Sequence, residues 1–513
     1  MNTATICISI AIIVYLGGML LIGFHFAKQN ESASDFYLGG RTLGPYVTAM
    51  SAEASDMSSY LLMGLPGLAY LSGIADVGWT IVGLAVGTYL NWLIVAKRLR
   101  VYTHVTQSFT VPQFLSRRFN DENHILSTLS AIIIIVFFIP YTASGFSACG
   151  KLFGTLFGLD YMTTMIFSAI IIVGYTATGG FLAASTTDFI QSIIMTFALL
   201  FVLVFATKQA GGVEAVMANA STLPGYLSMS ATYKVATNSA APYGFLTIVS
   251  TLAWGLGYFG MPHILLRFMA IEDENKLTIS RRVASVWVVI AMVIAVGIGL
   301  VGNALSAKGI LPQLTGASTE TIIIQISNLL AGFGVIPAFI AGLILSGILA
   351  STMSTADSQL LAAASSVSQN IIQEAMAKNI SPKNSMLAAR LTVVIIAIFA
   401  IIIARNPNSS IFGIVSFAWA GFGAGFGPVV LFSLFWPRTT LTGAVSGMAV
   451  GGFAVFVWKY MIAPQGGIFA IYELLPAFLA SAITVFVVSL MTPEPAKAIK
   501  TEFAEVEKLL KQK

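Results

Sequence analysis

The residues with the most chemistry per unit length are Ser51, Glu53, Ser55, Asp56, Ser58 and Ser59, all inside the nine-residue run Ser51–Ser59. Apolar chain flanks the run on both sides, from Tyr46 to Met50 and from Tyr60 to Leu71. In a bilayer no water satisfies stray polar groups, so two carboxyls and four serines there are costly and mark a cavity or an ion. Ser51, Ser55 and Ser58 would share one face of an intact helix. The same polar density suits local unwinding, which frees backbone carbonyls for a cation. Ordinary serine back-bonding is the competing reading.

A second hydroxyl-rich stretch is Ser351-Thr-Met-Ser354-Thr355-Ala-Asp357-Ser358. Ser351, Ser354, Thr355 and Ser358 form a stripe at i, i+3, i+4 and i+7. Hydroxyl and carbonyl oxygens are hard ligands, suited to sodium and not to soft metals. Plain helix–helix hydrogen bonding is the alternative. A third polar site, Ala253-Trp254-Gly-Leu-Gly-Tyr258-Phe-Gly-Met261-Pro262-His263, predicts a broken span. Trp254 and Tyr258, four apart, would offer one aromatic wall to a small organic solute; aromatic packing at a glycine-rich crossing is the rival reading. His263 reads as a structural hydrogen-bond partner. Asp188, in Ser-Thr-Thr-Asp, reads equally as a helix cap or as a residue for ion exit or a second ion.

Composition explains why these sites stand out. Of 513 residues 57% are hydrophobic and 9% charged, with mean hydropathy +0.87, against roughly 25% charged residues in soluble domains. The expected fold class is an all-α polytopic membrane protein. Thirteen apolar segments reach spanning length, near 6–27, 46–71, 77–96, 126–150, 159–178, 188–207, 244–263, 285–305, 335–356, 386–404, 410–435, 443–462 and 471–491. With the N-terminus outside and the C-terminus inside, twenty Lys and Arg fall on the cytoplasmic side, among them Lys28, Arg41, Arg267, Lys378 and Lys513. Six fall outside: Lys151, Lys208, Lys234, Lys308, Arg405 and Lys459. That asymmetry fits the positive-inside rule and makes the net charge of +5 a topology signal, not a nucleic-acid footprint.

Other motifs carry less. Cys7 and Cys149 read as small apolar residues. The first segment lacks the flanks of a signal peptide and reads as a retained span. Gly145-Phe-Ser-Ala-Cys-Gly-Lys151-Leu lacks the hydroxyl residue and preceding strand of a phosphate loop. Gly255-Leu-Gly-Tyr-Phe-Gly260, and Gly421, Gly423, Gly425 and Gly427, read as close helix approaches or breaks. Beyond Met491, Phe503, Val506, Leu509 and Leu510 at helical spacing predict a short surface helix.

Five spans run from the second to residue 207, and the next five open with the span carrying Trp254. Interrupted helices at the head of two five-span halves point to an inverted-repeat secondary transporter. The expected divisions are 1–45, first span and cytoplasmic loop; 46–210 and 211–435, the two repeats; 436–491, two peripheral spans; and 492–513, a cytoplasmic tail.

Gly-Gly-Arg41-x-Leu-Gly-Pro, Ser51-Ala-x-Ala-Ser-Asp56-Met-Ser, Leu-Met-Gly-Leu-Pro-Gly67, Tyr175-Thr-Ala-Thr-Gly-Gly-Phe-Leu182 and Ser433-Leu-Phe-Trp-Pro-Arg438 followed by Gly443-Ala444 together resemble the sodium/solute symporter family. Within it they are similar to members that carry proline. The resemblance spans about residues 5–490 and implies a sodium-coupled importer of L-proline in the cytoplasmic membrane, working by alternating access. Sodium and proline would be its ligands, with the bilayer around it, no nucleic acid, no enzymatic activity and no obligatory protein partner. Carried over residue by residue, it places sodium among the carbonyls of Ala54 and Met57, the region of Ser351, and the hydroxyls of Ser354 and Thr355, with Asp56 setting sodium affinity. Ser55, Ser58, Tyr141, Trp254, Tyr258 and Pro262 would form the substrate pocket. Arg41 matches a functional cytoplasmic arginine, and Asp188 an acid for release or a second sodium. Glu53 and Ser59 stand where some relatives carry glycine, Met261 where they carry glutamine, and Asp357 lacks a counterpart in some. Rival readings are the same fold with another small amino acid or carboxylate as cargo, a transport-like sensor, or a channel.

Overall fold

A computed structural model describes residues 2–27, 37–376 and 381–512. Lys28, Lys378 and Lys513 lie outside the described residues, as do the side chains of Tyr175, Ala177, Thr178 and Gly179 in one of the signatures. Lipid leaves a spanning backbone no partner but itself, and the apolar segments are accordingly helical. Ten described helices are long and apolar enough to cross a bilayer, and a bent pair, Phe245–Gly260 with Pro262–Ala270, makes an eleventh. Of the other two expected segments, 46–71 is a broken helix and 159–178 contains the shorter apolar helix Tyr161–Gly174. Ile290, Val293, Phe399, Ile402, Phe453 and Ile483 are exposed on the outside of the bundle, where a lipid-facing surface needs no polar cover.

Both expected breaks exist. Pro45–Ser59 is helical up to Ser58, whose φ of 46° and ψ of −168° leave the helical region. Left-handed φ in a residue with a Cβ is strained and persists only where the surroundings enforce it. A wide π turn, Tyr60–Gly64, and the helix Leu65–Ser72 follow. The unwinding is therefore confined to one residue and does not run through Ser51–Ser59. In the second break, Phe245–Leu252 tightens into a 3₁₀ stretch, Ala253–Gly260, before Met261 turns extended. Pro262, which has no N–H to leave unpaired, starts the helix Pro262–Ala270 after a 48° bend.

The glycines of this break let backbones touch. A Cβ on Gly257 would lie 1.9 Å from Trp419 Nε1, and one on Gly255 would lie 2.2 Å from the Gly83 carbonyl oxygen. Gly421 and Gly427 likewise sit against Phe137 and Phe478, while their helix, Ile411–Phe435, runs on unbroken. Close approach is the role of this set, not nucleotide binding. Lys151, far from any phosphate loop, lies in the helix Ile125–Phe157 and pairs with buried Glu320 at 2.6 Å.

The core forms where Pro45–Ser59 packs against the hydroxyl-bearing helix Val335–Ser365 and the long helix Tyr161–Gln209, which kinks at Gly180. Outside the bundle, Ala231–Lys234 and Ser239–Pro242 form an antiparallel hairpin, an exception to the all-helical expectation. The tail forms the helix Lys497–Gln512, with Phe503 and Val506 buried, as their spacing predicts.

Candidate functional site

The Ser58 break and the hydroxyl helix meet. Ser354 Oγ donates to the Ala54 carbonyl at 2.9 Å and lies 3.3 Å from the Ser351 carbonyl, while Thr355 Oγ1 donates to that same carbonyl at 3.0 Å. Two carbonyls and two hydroxyls thus share one buried spot, all hard oxygen ligands. The Ser351 hydroxyl instead donates to Ile348, so this residue brings its backbone oxygen to the cluster. The Met57 carbonyl accepts the Tyr60 N–H. No group of three or more His, Cys, Asp and Glu able to hold a metal ion occurs among the described residues.

Beside this oxygen cluster lies a small cavity of about 10 Å³, lined by Asp56, Met57, Tyr60, Leu84, Tyr141, Trp254, Val415 and Trp419. Tyr141 donates to the Asp56 carbonyl at 3.0 Å, and Tyr258 donates to Asp56 Oδ2 at 2.7 Å. The aromatic lid is continuous: Trp254 stacks on Tyr60 at 5.6 Å and on Tyr472 at 5.2 Å, and Trp419 donates to the Trp254 carbonyl at 2.8 Å.

Of the six expected substrate residues, Tyr141 and Trp254 line this cavity. Tyr258 sits behind it, because three residues per turn in a 3₁₀ stretch swing positions four apart onto different faces. Ser55 donates to its own helix at Ala52, 3.0 Å away. The Ser58 hydroxyl accepts the Tyr60 N–H at 3.1 Å and braces the break. Pro262 is buried at the bend. Asp56 and Met57, expected at the ion, also face the cavity. Tyr60, Leu84, Val415 and Trp419 were not anticipated: single residues in apolar runs carry no mark in the sequence.

A second buried constellation lies one to two helical turns away. Arg267 donates to Asp188 Oδ2 at 3.0 Å, to Ser51 Oγ at 3.1 Å and to Ser358 Oγ, and Ser51 donates to Asp188 at 2.7 Å. Arg267 is 1% exposed and Asp188 fully buried. This corrects two expectations. Arg267 is no loop residue but an internal cation, and Asp188, deep within its helix, is no cap. The sequence hint was available in the pairing of lone opposite charges within apolar chain. His263 differs as well: neither ring nitrogen has a hydrogen-bond partner, and the ring packs against Phe138 at 5.7 Å. Arg41 holds the loop end down, donating to the carbonyls of Met269 at 2.6 Å, Thr103 at 3.0 Å and Ser108 at 2.8 Å. Burial, and then neighbouring Arg100, lower its guanidinium to about 10, still cationic at neutral pH.

A multi-pass membrane chain in which two interrupted helices close on a buried oxygen cluster and an occluded aromatic cavity has the build of a secondary transporter. Its sequence matches the sodium:solute symporter family over residues 36–451. It is 41% identical over 504 residues to the sodium/proline symporter of Haemophilus influenzae, covering 97% of each chain. It is 40% identical over 506 residues to that of Escherichia coli, covering 96% of this chain and 95% of the relative. The fold matches the substrate-bound, outward-open structure of a Na⁺-coupled sialic acid symporter with a TM-score of 0.77 at 18% identity, over 96% of this chain and 99% of that one. A closed nucleobase-cation-symport-1 family transporter matches with a TM-score of 0.56 at 14% identity, over 92% and 99%. The chain belongs to the sodium:solute symporter family.

Proposed function

We propose that this chain imports L-proline with sodium across the cytoplasmic membrane. The observation that carries the reading is the junction of Ala54, Ser351, Ser354 and Thr355 oxygens directly behind the residues that wall the cavity. A sodium ion there would take the two carbonyls as ligands, turn the Ser354 and Thr355 hydroxyl hydrogens away, and tie the broken span to the hydroxyl helix. Met57 belongs to both regions: its side chain lines the cavity and its carbonyl borders the break. Binding of the ion therefore fixes part of the pocket wall, and coupling is the resulting difference in proline affinity between states. Asp56 acts through position, with its carboxylate held by Tyr258 and its carbonyl by Tyr141.

In this reading the chain crosses the membrane thirteen times, N-terminus outside and C-terminus inside, with inverted repeats over 46–210 and 211–435, flanked by 1–45, 436–491 and the tail 492–513. Ser55, Ser58 and Pro262 shape the breaks behind the pocket, and Tyr258 positions Asp56. The Arg267–Asp188 pair closes the inner side, and Arg41 fastens the cytoplasmic loop. One ion supplies about 2.3 kcal/mol at 100 mV plus about 1.4 kcal/mol for a tenfold gradient, enough for roughly 500-fold accumulation. The test is proline uptake into proteoliposomes under imposed sodium, proton or potassium gradients. Accumulation with sodium alone is expected. Sodium-driven uptake of another amino acid or a carboxylate, and none of proline, would replace the cargo.

A further inference from the structure

A second and larger hollow opens on the outside of the bundle, with a volume of about 820 Å³. Helices Pro382–Ala404 and Ile411–Phe435 follow one another in the chain, and both pack on Ile125–Phe157. They part over it, and the hollow is the groove between them. Val136 and Pro140 form its floor, Phe399 and Ile402 one wall, and Phe417 and Phe456 the other. Phe399 and Ile402 are exposed along the groove, and the ring of Phe417 packs edge-on against Phe456 at 5.2 Å.

Polar groups gather at one end only. Ser409 and Ser410 stand at the chain reversal between the two helices, and Lys459 and Tyr460 in the turn that follows Leu441–Val457, where spans reach the membrane surface. A lysine near the end of a span ordinarily snorkels to the interface. The Lys459 ammonium is instead drawn over the groove, 4.8 Å from the centroid of the Phe417 ring and 2.9 Å from Glu473 Oε1. An ammonium carries three donors, and Glu473 engages one of them. Arg405, which ends the helix carrying Phe399 and Ile402, is exposed and has no carboxylate partner among the described residues. The pairs Lys459–Glu473 and Lys151–Glu320 each cancel, so Arg405 leaves this end net positive.

A groove that is apolar along its length and cationic at the membrane surface matches an amphiphile with an anionic head. Its volume lies in the range of about 300–1,000 Å³ that houses small-molecule ligands. Hydrocarbon alone gains little there, because lipid tails are as apolar as the walls; selection rests on the head. We propose that the groove is a phospholipid site, with one acyl chain along Pro140 and Phe417 and the phosphate at Ser409, Lys459 and Arg405. The helix Ile411–Phe435 bears Gly413 and Phe417 in this groove and Val415 and Trp419 in the cavity wall, so the lipid backs that wall.

The test uses purified full-length protein in phosphatidylethanolamine liposomes containing phosphatidylglycerol with a diazirine in its acyl chain, and maps the cross-linked peptides. Labelling should concentrate on 399–403 and 413–417, which line the groove, and be lost in Gly413→Leu. A Cβ on Gly413 meets only Ser410, at 3.6 Å, so the leucine fills the groove without overpacking its helix. Ile402→Trp fills it from the facing wall and serves if the first variant misfolds, folding being checked by monodispersity. Lys459→Gln should weaken labelling, and diacylglycerol with the same diazirine chain, which lacks the phosphate, should label the wild-type groove weakly. Labelling spread evenly over other outward-facing residues, Ile290 and Ile483 among them, overturns the site. So does labelling that persists in the filled groove, or that is equal with diacylglycerol or in Lys459→Gln. No arm needs sodium or proline, so the outcome is independent of the cargo reading.

Discussion

Ser354 and Thr355 each direct a hydroxyl at a carbonyl, Ala54 and Ser351 respectively, and an arriving sodium ion would exchange those two hydrogen bonds for ion–oxygen contacts. The double substitution Ser354→Ala with Thr355→Ala removes both hydroxyls and leaves the carbonyls. We expect the sodium concentration for half-maximal uptake to rise steeply while surface expression holds; an unchanged sodium dependence would relocate the ion. Trp254 is the anchor on the solute side, 4% exposed and sandwiched between Tyr60 and Tyr472. Trp254→Ala should weaken proline binding by about 2–4 kcal/mol, the range of a buried aromatic anchor, with much less change in sodium binding measured without proline. Wild-type proline affinity would remove Trp254 from the pocket. Polar residues in apolar chain were readable in advance because each announces an unmet need, as the hydroxyl stripe did. Tyr60, Trp419 and Val415 announced none, since an aromatic or branched residue in a span suits lipid, core and cavity equally. The direction of Tyr258 was not legible, since it depended on whether the break was α or 3₁₀.

At the scale of the element, the two breaks differ in cause. The first is imposed on a serine by its neighbours; the second is built from glycines that admit neighbouring backbone and rings. Gly257 gives the sharpest test, because a Cβ there would sit 1.9 Å from the indole nitrogen of Trp419, itself bonded to Trp254. Gly257→Ala must push the 3₁₀ stretch away from Trp419 or displace that ring. Overpacking of this kind costs about 1–3 kcal/mol, so we expect a lower melting temperature and impaired proline binding. Gly174→Ala is the control: nothing lies within 4 Å of its added Cβ, and its melting temperature and uptake should match the wild type. Equal behaviour of the two variants would mean that the close approach at Gly257 does not hold the break in shape. The positions of both breaks were legible from glycine, proline and serine density. The length of the unwound segment was not, because helix propensity yields to tertiary packing, here the packing that keeps Ser51 to Met57 helical.

For the whole molecule, the proposed reading puts closures of different kinds on the two sides of the cavity. One is an aromatic stack that can part without exposing charge. The other is the buried network of Arg267, Asp188, Ser51 and Ser358, and opening it requires separating a guanidinium from a carboxylate. Basic-residue asymmetry assigned Arg267 to a loop, because the sequence marks a cation's place in the chain and not its depth. Breaking a buried pair by removing one partner costs about 3–5 kcal/mol, whereas removing both charges is far milder. Arg267→Gln alone leaves Asp188 and nearby Asp357 uncompensated and should lower the melting temperature strongly. Arg267→Gln with Asp188→Asn should recover most of that loss, bind proline, and favour the inward-open state. Alkylation of Ser55→Cys from the cytoplasmic side, in a chain with Cys7 and Cys149 replaced by serine, reads that opening. Ser55 is fully buried, so the neutral pair should speed its labelling while the intact pair keeps it slow. Equal labelling rates in the two backgrounds would assign the inner closure to other contacts and leave the ion pair a purely structural part.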